Sequence, residues 1–292
     1  MALSSFWERK QHVWTSDSVM KVCTPSDAAK SMFFYVQEVG HLHTFSPYFT
    51  EREHLNSYLI IYTLRGKGVL TYKGERYEVN RHHVLFIDCM SYQKYEAVGE
   101  ACWEVAFVHL NGASIAGYYQ QYSLHKSPVL NVGADSGIPE LLQGLLVIQK
   151  EKGLRAEALA SQRLTELLTL LLLYPDQHIH DDPTIPPYIS LLQQELEERY
   201  TERITLDELA RAYSRSKFVL SREFKRYIGI SLQEYIILHR ITVAKNLLKH
   251  TELTVTEIAV QVGIDNPSHF INLFKAREEL TPLAYRKRWS EY

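Results

Sequence analysis

Thr205-Leu-Asp-Glu-Leu-Ala210 and Thr254-Val-Thr-Glu-Ile-Ala259 are one pattern written twice, 49 residues apart. Further on, Phe224-Lys225 is answered by Phe274-Lys275 and Tyr235 by Tyr285, now at an offset of 50, so the second copy gains one residue between its halves. In each copy a threonine can cap a helix, with Glu208 or Glu257 three residues later to complete a capping box. A short helix then runs to Ala212 or Val262. A turn follows at Ser214 or Gly263, where glycine tolerates a left-handed backbone. Ser216 or Asn266 caps the next helix, which carries Leu220 and Phe224, or Phe270 and Phe274, as i,i+4 neighbours on one face. The spacing predicts two helix-turn-helix units, residues 204–229 and 254–279, with a helix from Leu232 to His250 fixing their separation.

What the second helices show to solvent decides their chemistry. The first copy offers Lys217, Val219, Ser221, Arg222 and Arg226; the second offers Asn266, Ser268, His269, Asn272 and Lys275. Cationic side chains clamp phosphates, and small polar ones read base edges. Double-stranded DNA is the expected partner, the recognition helices standing about 34 Å apart if both enter the major groove from one side. A helical bundle with merely solvated faces would explain one such unit, but it does not call for two copies with matched caps, turns and cations.

Charge and composition agree. The 292 residues carry a net charge of −2, but residues 201–292 hold 15 of the 32 Lys+Arg and 11 of the 34 Asp+Glu, a surplus of four positive charges. The remaining residues are acidic, so only the C-terminal part favours a polyanion. Immediately before the helical part, residues 175–187 contain four prolines and three aspartates and read as a linker from 176 to 187. Residues 138–151 and 154–174 read as two helices; in the second, Leu164, Leu167, Leu168, Leu171 and Leu172 recur at helical spacing. Residues 31–110 read as many short strands (32–39, 58–64, 68–72, 76–79, 84–87 and 103–109) with glycine-containing turns, which indicates a sandwich or barrel. Three cysteines without CxxC spacing, charges where a signal peptide needs an apolar stretch, and no apolar run near membrane length lead us to expect a cytoplasmic protein.

Residues 204–289 resemble the DNA-binding domain of the AraC/XylS regulators. Leu209-Ala210, Ser216, Leu220-Ser221-Arg222, Phe224-Lys225, Gly229, Tyr235, Arg240, Ala244, Leu247-Leu248, Glu257-Ile258-Ala259, Gly263, His269-Phe270, Phe274-Lys275, Thr281-Pro282 and Tyr285-Arg286 carry the resemblance. Four positions depart from the family pattern: Ser214 and Glu279 stand where glycine is usual, Ile264 where phenylalanine is, and Asn272 where arginine often is. The resemblance implies that the first recognition helix dominates specificity, with Arg222, Ser221 and Lys217 foremost. Residues 58–112 resemble, more loosely, the cupin-type sensor barrel of the same family.

The expected architecture is therefore α+β. A cupin-like ligand-sensing β-barrel or jelly roll (1–136) is followed by a helical dimerisation hairpin (137–175), the linker (176–187) and an all-α tandem helix-turn-helix domain (188–292). The resemblance implies a small-molecule effector, a sugar or related metabolite, held by His41, His43, Tyr48, Arg52, His54, Tyr95, Trp103 and Phe107. Rings stack on a sugar's apolar face while imidazole, guanidinium and phenol satisfy its hydroxyls. The apolar surface of residues 138–174 reads as the seam of a homodimer, packing against its own barrel being the alternative. An activator with RNA polymerase as partner is the expectation, and repression the alternative to it. No catalytic residue, cofactor or metal is assigned. His41 and His43 could set two imidazoles on one side of a strand, as metal sites need. However, the metal-binding cupin pattern wants a carboxylate four or five residues on. Here Glu51 is eight residues past His43, and Arg81-His82-His83 replaces the rest of the pattern. A constitutive DNA-binding protein with an inert barrel and a metal-dependent cupin enzyme are the alternatives.

Overall fold

The computed structural model describes residues 5–174 and 185–290. The chain divides into two compact units, Met1–Asp181 and Asp182–Tyr292. Most of the proline-rich linker, residues 175–184, lies outside the described residues.

The first unit is a two-sheet antiparallel β-sandwich with helices on one side. One sheet has the strand order β1 (Trp7–Gln11), β4 (Phe49–Glu53), β9 (Gln93–Ala97), β6 (Gly68–Tyr72), β7 (Glu75–Val79). The other runs β11 (Val129–Asn131), β8 (His83–Asp88), β5 (Tyr58–Arg65), β10 (Trp103–Asn111), β3 (Tyr35–Thr44), β2 (Val19–Val22). Strand pleating sends alternate residues to opposite faces. Leu42, Leu59, Ile61, Leu70, Tyr72, Leu85, Ile87 and Trp103 thus fill the space between the sheets. Val39, Ile60, Tyr62, Val84, Phe86 and Val108, on the reverse of the larger sheet, meet α2 (Ile115–His125), α3 (Ile138–Ile148) and α4 (Leu154–Leu173).

That packing uses the leucine stripe seen in the sequence. Leu164, Leu167, Leu168 and Leu171 are fully buried inside their own unit. The apolar face expected to form a seam between two chains instead covers the sheet. Val147, Leu154, Leu159 and Leu173 are the large apolar side chains this helix pair leaves exposed among the described residues.

The second unit is all α: α5 (Pro187–Glu198), α6 (Leu206–Ala212), α7 (Lys217–Ile228), α8 (Leu232–His250), α9 (Val255–Gln261), α10 (Pro267–Glu278) and α11 (Pro282–Ser290), α1 being Asp27–Met32 in the first unit. Two small cores share α8. Ile189, Leu192 and Leu196 of α5 join Leu209, Leu220, Phe224 and Leu232 around the first helix pair. Ile241, Ala244 and Leu248 join Ile258, Ala259, Phe270, Phe274 and Tyr285 around the second.

Candidate nucleic-acid interface and effector cavity

The caps form as the residues dictate. Thr205 and Thr254 each make the reciprocal capping box with Glu208 and Glu257. The Ser216 hydroxyl accepts from the Val219 N–H at the head of α7, and the Asn266 side-chain oxygen accepts from the His269 N–H at the head of α10. Both inter-helix turns hold a residue in the left-handed region, Ser214 (φ 51°) and Gly263 (φ 75°). With Leu220 and Phe224 buried, the outward face of α7 centres on Arg222 and carries Phe218, Lys225 and Arg226 beside it. Arg222 and Lys225 are exposed, and the guanidinium of Arg222 lies 5.5 Å from the centroid of the Phe218 ring. Lys217 is exposed and paired with Asp207 of α6 at 2.6 Å; Val219, Ser221 and Arg226 are half-buried. On α10 the outward face centres on Asn272, with Ser268, His269 and Lys275 also exposed, while the Asn266 side chain is engaged in its cap.

Phe218 is the residue the sequence reading passed over. An aromatic side chain opening an amphipathic helix is expected inside, yet this one is 72% exposed on the presented face, one turn before Arg222. Its ring offers the apolar contact by which thymine methyl groups are read in the major groove.

The two presented faces share one support. Arg240 of α8 donates to the carbonyls of Tyr200 (2.6 Å) and Glu202 (2.9 Å) beyond α5. Arg286 of α11 donates to those of Leu248 and Leu253. Arg277 and Glu278 of α10 pair with Glu234 and Lys245 of α8. The 19 residues of α8 span about 28 Å, the order of one DNA turn.

In the first unit a narrow cavity of about 80 Å³ opens between the sheets. Five of the residues proposed for ligand contact line it: Tyr48, Arg52, Tyr95, Trp103 and Phe107. Arg52 is only 7% exposed; it donates to the Tyr95 hydroxyl (2.6 Å) and to His109 Nε2 (2.8 Å), and pairs with Glu8 (3.2 Å). Because Arg52 can only donate, His109 accepts at Nε2 and donates from Nδ1 to Ser57 Oγ (2.8 Å). Burial and the neighbouring guanidinium both hold His109 neutral, well below its ordinary pKa. Burial pushes the Glu38 carboxyl upward. The Nε of Arg52 is buried without a hydrogen-bond partner. One wall is an N-terminal arm contributing Glu8, Lys10, His12, Trp14 and Met20, none of which the sequence pattern marked.

His41, His43 and His54 do not line this cavity. His54 sits just past β4 in a left-handed conformation (φ 62°). His41 and His43 alternate with Leu42 and so stand on the reverse of the sheet.

Two family models match the chain: an AraC-like ligand binding domain over residues 35–168 and a helix-turn-helix domain over residues 209–288. The HTH-type transcriptional activator RhaS of Enterobacter sp. (strain 638) is 26% identical over 247 residues, covering 82% of this chain and 88% of the relative. The bifunctional transcriptional activator/DNA repair enzyme AdaA of Bacillus subtilis is 36% identical over 100 residues, 34% of this chain and 47% of the relative. Among solved structures, the C-terminal domain of the two-component response regulator yesN of Fusobacterium nucleatum is 39% identical. It covers 35% of this chain and 99% of that domain, with a TM-score of 0.34. Among the described residues no helix is long and apolar enough to cross a membrane.

Proposed function

The chain belongs to the AraC/XylS family of transcriptional regulators, and from that premise we propose that it is an effector-controlled activator, α7 supplying most of its sequence discrimination. It is a DNA-binding regulator with a ligand-binding domain, not an enzyme. The observation that carries the reading is the pair of cap-matched units mounted on α8, each burying two aromatic or leucine anchors and turning an unburied polar face outward. In our reading Lys217, Ser221, Arg222 and Arg226, with Phe218 and Val219, engage one major-groove segment. Asn266, Ser268, His269, Asn272 and Lys275 engage the next.

The effector is read as a small polar molecule, a sugar or related metabolite, taken up beside Arg52, Tyr95, Trp103 and Phe107. We read the arm bearing Glu8, Lys10, His12 and Trp14, which walls the cavity, as moving when a ring of monosaccharide size enters. That movement couples effector binding to a change in the unit's surface, and the regulator responds by a shift of population between arrangements with different DNA affinity. We place the sensing domain at residues 1–136 and a helical hairpin at 137–175, followed by a linker (176–187) and the DNA-binding domain (188–292). The hairpin's exposed Val147, Leu154, Leu159 and Leu173 are its remaining surface for pairing two chains. The named relatives are activators, and in our reading the chain works as a cytoplasmic homodimer with RNA polymerase as partner.

The test is a thermal-shift screen of the full chain against monosaccharides and other small polar metabolites, repeated with Arg52→Met. A compound that raises the melting temperature of the parent but not of the variant, and that alters DNA affinity, supports the reading. DNA affinity indifferent to every compound that binds overturns its regulatory half.

A further inference from the structure

The reverse face of the larger sheet holds a second constellation, separate from the cavity. Register places Glu104 of β10 opposite His43 of β3, and Ala106 opposite His41. His41 Nε2 lies 3.0 Å and His43 Nε2 3.5 Å from the same carboxylate oxygen, Oε1 of Glu104. The two imidazole rings are stacked with centroids 5.0 Å apart. All three side chains are half-buried, and one donor atom from each lies within 4.8 Å of the others.

We propose that His41, His43 and Glu104 form a site for a divalent transition metal, Zn²⁺ being the ion their chemistry suits best. Two imidazole nitrogens and one carboxylate oxygen, with a position left for water, are an established zinc donor set. Zinc bonds of about 2.0–2.1 Å in tetrahedral geometry separate neighbouring donors by about 3.4 Å, and the observed 3.0 and 3.5 Å straddle that value. The carboxylate missing from the sequence pattern is thus supplied across the sheet, 61 positions beyond His43.

A second observation distinguishes this cluster from an ordinary pair of surface ion pairs. The other nitrogen of His43, Nδ1, is buried without a hydrogen-bond partner, and Asp17 Oδ2 stands 3.6 Å from it. A carboxylate behind the far nitrogen of an imidazole is the arrangement that orients metal-bound histidines. Asp17 is held in place: the Thr15 hydroxyl donates to it, the Thr15 N–H donates to the His43 carbonyl (3.1 Å), and the His43 N–H donates to Ser18 Oγ (2.9 Å). Glu104 also has Arg65 Nε 4.0 Å from its second oxygen, so its charge is only partly answered by the protein. Metal in this site fastens β3 to β10, while Asp17 ties the site to the turn between Trp14 and Met20, two walls of the cavity on the opposite face.

The experiment uses the full chain stripped with chelator, titrated with Zn²⁺ by calorimetry and with Co²⁺ by visible absorption. One equivalent of each is expected, the cobalt complex showing d–d bands without a thiolate charge-transfer band. His43→Ala and Glu104→Gln abolish uptake at that stoichiometry, Asp17→Asn weakens it about tenfold or more, and His250→Ala in the other unit leaves it unchanged. Should His43→Ala fail to fold by circular dichroism, Glu104→Gln, which keeps shape and hydrogen bonding, carries the test. The proposal is overturned by no stoichiometric uptake, by uptake intact in Glu104→Gln, or by a thiolate band that disappears in Cys102→Ser. The last would put the ion on a cysteine instead.

Discussion

In the first helix-turn-helix unit the inter-helix turn is made by Ser214 (φ 51°) and the recognition helix is closed by Gly229 (φ 87°); in the second, Gly263 (φ 75°) makes the turn and Glu279 (φ 59°) closes the helix. Each copy places two residues in the left-handed region and gives glycine to one of them. The exchange separates two reasons for glycine. A Cβ on Gly229 would meet nothing within 4 Å, so that position asks only for backbone freedom. A Cβ on Gly263 would lie 2.3 Å from the carbonyl oxygen of Thr201, so that position also forbids volume. The non-glycine residues, Ser214 and Glu279, each bear a strain of about 1 kcal/mol. The presented faces differ as well, Phe218 and Arg222 in one standing where Ser268 and Asn272 stand in the other. The duplication preserves the frame and leaves the readout free to diverge.

The strongest blow to this comparison is Gly263→Ala. Left-handed strain together with a backbone clash should cost about 3 kcal/mol or more and unfold the second unit. Gly229→Ala should cost only about 1 kcal/mol, and chemical denaturation followed by helical circular dichroism distinguishes the two. Next in size is Arg222→Ala, expected to weaken binding to a selected duplex by about 1–3 kcal/mol if the guanidinium reads a base. Asn272→Ala, lacking a charge to lose, should weaken it less in the same fluorescence-anisotropy titration. Phe218→Ala should erase about 0.8 kcal/mol of preference for thymine over uracil at one position, the value of one buried methyl, leaving affinity for random duplex unchanged. Smallest of all, Ser214→Gly and Glu279→Gly should each relieve strain but loosen the unfolded chain, for a net change within about 1 kcal/mol in thermal denaturation.

How far the sequence could be read depends on how local each interaction is. The tandem units were legible because caps, turns and i,i+4 anchors lie within a few residues of one another, and Thr205, Ser216, Thr254 and Asn266 all cap as their types and spacing require. The central strands β5, β8 and β10 were legible from their apolar runs. β1 (WERKQ), β4 (FTERE) and β9 (QKYEA) were not, because their charged and polar residues give no strong apolar alternation. The arm that walls the cavity went unread for the same reason. Glu104 could not be assigned to His41 and His43, since only the β3–β10 register brings it there. The leucines of α4 were visible, but periodicity says that a face is buried and not against what; their own sheet covers them. Phe218 was missed because an apolar ring at helical spacing reads as core.

The measurement that bears most directly on the account is selection of binding sites by the full chain from a pool of random-sequence duplexes at low salt, with the parent and Arg222→Ala side by side. The parent should enrich two half-sites centred about 10–10.5 base pairs apart, and Arg222→Ala should lose the more strongly conserved of the two while keeping the other. No enrichment by the parent, or an identical enriched sequence from both proteins, would contradict the reading of α7 as the principal recognition helix.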